Sequence, residues 1–301
     1  MKNISTEVFE KLESFYSKES FFNGLLHKTC KNAKECWKKR SDNVKKESKW
    51  NYFSLPYIGK EYKGELVCVG LNVHEGGGRN LQEMQIRGIN VFKSDKEPHK
   101  NDINGDKYDP GVIESLEKGI KRINFKNGMK KMGVPYGGTP LWHRIAVYSK
   151  IFLDGYYPNV ADPSKELAKI YERIIYMDAI KCSPANIKSE KAERSSPTPE
   201  MVKLCPEYIF FKELEIIKPD NILIMSKPVA ERIKIAYTPI KSSENFPCSG
   251  KDFDFCQIKI GGKSVNVYYI IHPCTRPTRT CGGGNRIELF EKFADFVKSK
   301  K

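Results

Sequence analysis

No run of about 18 apolar residues occurs anywhere in the sequence, so no stretch reads as a membrane-spanning helix. The opening residues, Met1-Lys-Asn-Ile-Ser-Thr-Glu7, lack the apolar core of a secretory signal. The expected location is therefore the cytoplasm, with thiols kept reduced. The nine cysteines are an odd number, which in a reducing compartment speaks for metal ligation or inert buried thiols rather than a disulfide framework. The glycine run Gly76–Gly78 is not followed by Gly-Lys-Ser/Thr at the spacing of a Walker loop, and no dinucleotide-type Gly-x-Gly-x-x-Gly fits. No internal repeat is visible. Acidic residues are scarce relative to basic ones, 37 Asp and Glu against 52 Lys and Arg.

That imbalance leaves a formal charge of +15, which favours an anionic partner, with nucleic acid leading. The alternative is a lysine-rich composition that raises charge without any binding. At 301 residues the chain suits one large α/β domain or two small ones, and its core needs no disulfides. We expect a single domain over 1–301, with an N-terminal helical and cysteine-bearing segment over 1–60. Residues 79–132 read as a basic insertion, in which Phe92, Tyr108 and Phe125 interleave with Lys and Arg. Such interleaving suits nucleic acid, and equally a solvated surface excursion.

Apolar residues recur at helical spacing over 6–29, where Val8, Phe9, Leu12, Phe15 and Tyr16 form one face. Helices are expected over 140–153 and 199–217, from 228, and at the C-terminus, where Leu289, Phe290, Phe293 and Phe296 share a face. Strands are expected at 65–71, 174–180, 221–225 and 265–271. Cys248 and Cys256 fall in a loop and a hairpin. Alternation of strand and helix predicts an α/β fold with a central four-stranded parallel sheet flanked by helices.

The segment from Ile174 to Cys182 organises the rest. It is a short apolar run that carries one carboxylate, Asp178, near its end. A carboxylate in such a strand costs several kcal/mol unless it is paired or hydrogen-bonded. It is either a satisfied core acid or a site residue. Ligand sites of parallel sheets lie beyond the carboxyl ends of the strands. Asn72, Asp178 and His272 stand at three such ends and would face one cleft.

Taken in order, these pieces resemble the uracil-DNA glycosylase superfamily, most closely its iron–sulfur branch, the family-four enzymes. The motif residues are Val69-Gly-Leu-Asn-Val73, Gly133-Val-Pro-Tyr-Gly-Gly138, Asp178-Ala-Ile-Lys-Cys182, Pro197-Thr-Pro-Glu-Met201, Cys205, the run Ile217–Ile224, Ala230 and His272-Pro-Cys274. Together they cover roughly a third of the chain. Residues 79–132 have no counterpart, Cys30 and Cys36 have five residues between them rather than two, Val73 replaces a proline, and Asp178 stands where the family has Asn.

The resemblance implies a uracil-DNA glycosylase-like fold and a DNA glycosylase that flips a base and hydrolyses its N-glycosidic bond. It implies a [4Fe–4S] cluster on Cys30, Cys36, Cys182 and Cys205, with zinc as the alternative ligand of four thiolates. Asn72 would orient the attacking water and His272 would stabilise the departing base; Tyr136 would stack on it. Arg276 and Arg279 stand where relatives insert a wedge into DNA.

Asp178 sharpens the substrate. An acidic side chain accepts from the N4 amine of cytosine and repels uracil O4. Ordinary cytosine cannot be the target without ruin of the host's own DNA, so the base is expected to carry a mark at C5. His74 falls where the family-one enzymes have a blocking tyrosine, and Glu75 and three glycines follow, leaving room for a bulky group, even a sugar. Such bases occur in bacteriophage DNA, which makes phage defence a coherent role. The alternatives are a uracil repair enzyme with Asp178 held protonated, and a non-catalytic protein that senses modified DNA. The expected partner is double- or single-stranded DNA, the expected state a monomer, and no membrane is involved.

Overall fold

The computed structural model describes residues 4–19, 30–36, 56–59, 61–72, 141–155, 170, 172–181, 197–242, 246–247, 251–272 and 286–301. Within them lies one seven-stranded sheet with helices on both faces. Its strands are β1 (Tyr57–Ile58), β2 (Leu66–Asn72), β3 (Ile175–Ile180), β4 (Asn221–Ile224), β5 (Pro239–Ser242), β6 (Phe253–Ile260) and β7 (Lys263–Ile270). The spatial order is β1-β3-β2-β4-β7-β6-β5. Neighbours among β3, β2, β4 and β7 pair in parallel, while β1, β6 and β5 pair antiparallel.

The sheet is thus mixed and wider than the four strands expected. The missed strands have weak signals. β1 is two residues long, and β5 begins at a proline and is largely exposed. β6 is joined to β7 by Gly261-Gly262, both with positive φ, as a two-residue hairpin turn that suits a twisted ribbon requires. β1 also draws Tyr57 and Ile58, at the end of the N-terminal segment expected to be helical, into the sheet.

β3 is buried along its whole length, because an inner parallel strand is covered on both faces and reads as continuously apolar. Odd and even positions then serve two cores. Val67, Val69, Ile175, Met177, Ile222 and Ile224 pack with α1 (Ile4–Lys18), α4 (Pro199–Cys205), α5 (Phe211–Ile217) and α6 (Lys227–Ala236). Leu66, Cys68, Tyr176, Leu223 and Tyr268 pack with α3 (Leu141–Asp154) and α7 (Arg286–Lys298). Tyr148 of α3 meets Phe290 and Phe293 of α7 edge-on, at 4.8 and 5.0 Å between ring centres. The short α2 (Ala33–Cys36) completes the helices used below.

The helix expected over 199–217 is broken into α4 and α5 by a π turn at Pro206–Phe210. Pro206 has no N–H to give to the preceding turn, and the ladder resumes with Phe211 N–H on Pro206 O. Thr198 caps α4 by accepting from Met201 N at 3.2 Å, with Pro199 opening the first turn. The N-terminal helix covers Ile4–Lys18; residues 20–29 of the expected 6–29 lie outside the described residues, as does the insertion 79–132. Among the described residues, no helix is long and apolar enough to cross a membrane.

Candidate functional site

The parallel strands bring Asn72, Asp178 and the approach to His272 to one edge of the sheet. Gly70 of β2 lies in register with Asp178 of β3, and Asn72 with Ile180. β4 separates β2 from β7. At about 4.8 Å per strand spacing, the ends of β2 and β7 are roughly 10 Å apart. Ile271 N donates to Asp252 O at 2.8 Å, which carries the pairing one residue beyond β7, and His272 follows as an exposed residue. His74, Glu75, Tyr136, Arg276 and Arg279 lie outside the described residues, and so does the side chain of Asn72.

Asp178 is 6% exposed. Its burial is compensated in part by Tyr176, whose hydroxyl donates to Asp178 Oδ1 at 3.1 Å. Gly70 makes this pairing possible. A Cβ at that position would collide with the Tyr176 hydroxyl and stand 2.6 Å from Asp178 Oδ1. The φ of Gly70 lies outside the left-handed region, so glycine is needed here for close approach and not for backbone conformation. The sequence alone singled out Gly70 only as part of the Val69–Val73 motif and did not single out Tyr176. The available signal was a glycine inside an otherwise apolar strand, which often marks such an approach.

On the opposite face of β3, Lys181 follows the strand and pairs with Glu213 of α5 at 2.6 Å. Tyr16 of α1 donates to Glu213 Oε1 at 2.6 Å. Burial pushes the Glu213 carboxyl up; Lys181 and Tyr16 pull it back without cancelling the shift, and Asp178 adds to it. Burial, then Glu213, pushes the Tyr16 phenol up.

Three of the four cysteines selected by the resemblance lie on adjoining elements. Cys36 and Cys205 are buried in one core, and half-buried Cys30 packs against it. Asn32 Nδ2 donates to Leu204 O at 3.4 Å, which ties the segment bearing Cys30 and Cys36 to α4. Lys181 N–H donates to Cys205 Sγ at 3.2 Å, and Cys182 is the next residue, just outside the described ones. Lys31 Nζ sits 3.9 Å from the centre of the Tyr208 ring, whose hydroxyl donates to Glu19 Oε2 at 2.7 Å. Among the described residues no three His, Cys, Asp or Glu side chains form a group that could hold a metal ion.

The other described thiols lie elsewhere. Cys68 meets Ser149 Oγ at 3.2 Å, and burial pushes its thiol up to about 12. Cys256 lies in β6 of the β6–β7 hairpin, as expected, and is also pushed up to about 12 by burial. Burial thus disfavours the thiolate form of both.

No protein-family model matches the chain, and no curated protein matches it.

Proposed function

We propose that this protein is a DNA glycosylase of the uracil-DNA glycosylase-like fold that removes a C5-modified cytosine, one bearing a sugar included. The observation that supports the reading best is Asp178. It is a buried carboxylate near the carboxyl end of an inner parallel strand, directly across from a glycine and held by a tyrosine hydroxyl. A carboxylate there accepts from an exocyclic amine and disfavours a carbonyl at the same place.

In this reading the target nucleotide leaves the stack and enters the edge of the sheet between β3 and β7. Tyr136 stacks on the base, and Asp178 accepts from its N4 amine. His74, Glu75 and the glycines after them border the C5 substituent. Asn72 holds a water against C1′ of the sugar and acts by position, since an amide takes no proton. The C1′–N1 bond breaks with its electron pair on the base, water oxygen bonds to C1′, and the water proton ends on the base. His272 donates to base O2 as negative charge grows there. Arg276, Arg279 and the basic insertion hold the strand.

The donor chemistry of Cys30, Cys36, Cys182 and Cys205 suits a [4Fe–4S] cluster, with zinc the alternative. The amide N–H aimed at Cys205 Sγ is the kind of contact that favours a thiolate. Such a cluster would tie the N-terminal segment to α4 and to Cys182, two residues beyond β3, a structural role. Bacteriophage DNA is the proposed source of the modified base.

Release of a free modified base from synthetic duplex, identified by mass, tests the activity. Tight binding without release identifies a sensor protein, and release of uracil alone identifies a repair enzyme.

A further inference from the structure

Tyr176 is outside every motif named above, yet its hydroxyl touches the residue on which base choice turns. Tyr176 and Asp178 are two residues apart on β3, so their side chains leave the same face of the strand. Their partners in register on β2 are Cys68 and Gly70. The Tyr176 hydroxyl reaches the bare backbone of Gly70 and donates to Asp178 Oδ1 at 3.1 Å.

A carboxyl group turns broadly about its last torsion. A donor held at one oxygen removes that freedom and fixes the plane in which the group meets anything beyond the strand. For a carboxylate the two oxygens are equivalent, so the gain is order alone. For an amide the ends differ: a hydroxyl that donates to the amide oxygen directs its NH2 to the other side.

We propose that Tyr176 is a positioning residue for base selection, which through the gap at Gly70 fixes how residue 178 faces the target base. The proposal rests on the reading of Asp178 as the acceptor of a base amine, and carries a consequence that reading alone lacks. The selectivity produced by Asp178→Asn should depend on the hydroxyl of residue 176.

The test uses the full chain as wild type, Tyr176→Phe, Asp178→Asn and the double variant. Base release is measured from one duplex that carries a C5-glycosylated cytosine and from one that carries uracil. The ratio of the two kcat/KM values is the readout, because loss of folded protein lowers both equally. Tyr176→Phe should lower the ratio tenfold or more. Asp178→Asn should move it toward uracil by tenfold to a hundredfold, and the double variant should show less than a tenth of that additional shift. Gly70→Ala, which keeps both side chains and forces them off the strand, should reproduce Tyr176→Phe and decides the matter if the latter does not fold.

An unchanged ratio in Tyr176→Phe and Gly70→Ala overturns the proposal, as does an Asp178→Asn shift of equal size in both backgrounds. Failure of the underlying reading looks different. Asp178→Asn would then leave the ratio unchanged whatever stands at 176, or the wild type would release neither base, and both ideas fall together.

Discussion

Lys181 and Glu213 form an ion pair 2.6 Å apart, with their side chains 1% and 0% exposed. The pair joins the residue after β3 to α5, and Tyr16 extends it to α1. Lys181 stands between Asp178 and Cys182 in the chain, so the pair braces the strand end that serves both candidate sites.

Removal of one partner of a buried pair costs about 3–5 kcal/mol, because the other charge is left uncompensated. The two deletions should differ. Burial already holds the Glu213 carboxyl above its ordinary range, so without Lys181 it can take a proton and become neutral. Without Glu213, Lys181 is left as a buried cation with its counter-charge removed. Glu213→Gln should therefore destabilise more than Lys181→Met at neutral pH, as urea midpoints would show. Lys181→Met should also gain stability relative to wild type as pH falls, since protonated Glu213 carries no uncompensated charge there.

Asp154 closes α3 and accepts from Lys150 Nζ and Arg173 Nη1, both at 2.7 Å. Burial raises its carboxyl, but the two hydrogen bonds and charges outweigh burial and leave it below its ordinary value of 3.8. A carboxyl lowered on folding stabilises at pH above its unfolded value and loses that contribution as pH falls through the folded one. Asp154→Asn should cost about 1 kcal/mol near pH 7, partial exposure discounting more, and the cost should vanish in acid. Thermal melts of both proteins from pH 7 down to pH 2 would reveal this convergence.

The cysteine site has a direct readout. Anaerobically purified protein should be brown and lose its colour with an iron chelator, with Cys205→Ala and Cys182→Ala colourless. Protein that is colourless and carries one zinc per chain would select the alternative ligand. Protein with no metal would leave the cysteines as plain packing.

Much of the parallel core was legible because it rests on strong local signals. Apolar runs such as Ile222-Leu-Ile224 and the phenylalanine face of α7 predict their own burial. The edge was not legible. β5 is polar and mostly exposed, and β1 is too short to show a period. The break at Pro206 was signalled by the proline, but the amphipathic pattern on either side masked it. At the site, Asp178 announced itself as a carboxylate among apolar residues. Tyr176 and Gly70 did not, because a tyrosine reads as ordinary strand filling, and the space under its hydroxyl exists only once β2 and β3 are in register. The Lys181–Glu213 pair joins residues far apart in sequence, and nothing local distinguishes them from surface charges.

Asn72→Ala and His272→Ala should each reduce base release by roughly a hundredfold or more, the usual loss when one positioned contact to a transition state is removed. Their melting temperatures should stay close to that of the wild type, since Asn72 ends β2 and His272 is exposed beyond β7. Full activity in Asn72→Ala would move the water-holding role to another residue, Glu75 first.

The proposed selection of a cytosine-type base by Asp178 is tested most directly by base release from paired substrates. Wild type and Asp178→Asn are compared on duplexes that carry uracil, unmodified cytosine or a C5-glycosylated cytosine. A directional base contact is worth roughly 1–3 kcal/mol, so the variant should shift toward uracil by about tenfold to a hundredfold. The wild type should release the modified cytosine, release uracil only slowly and leave plain cytosine in place. Efficient release of uracil by the wild type, with no release of the modified base, would contradict the account and return Asp178 to the core.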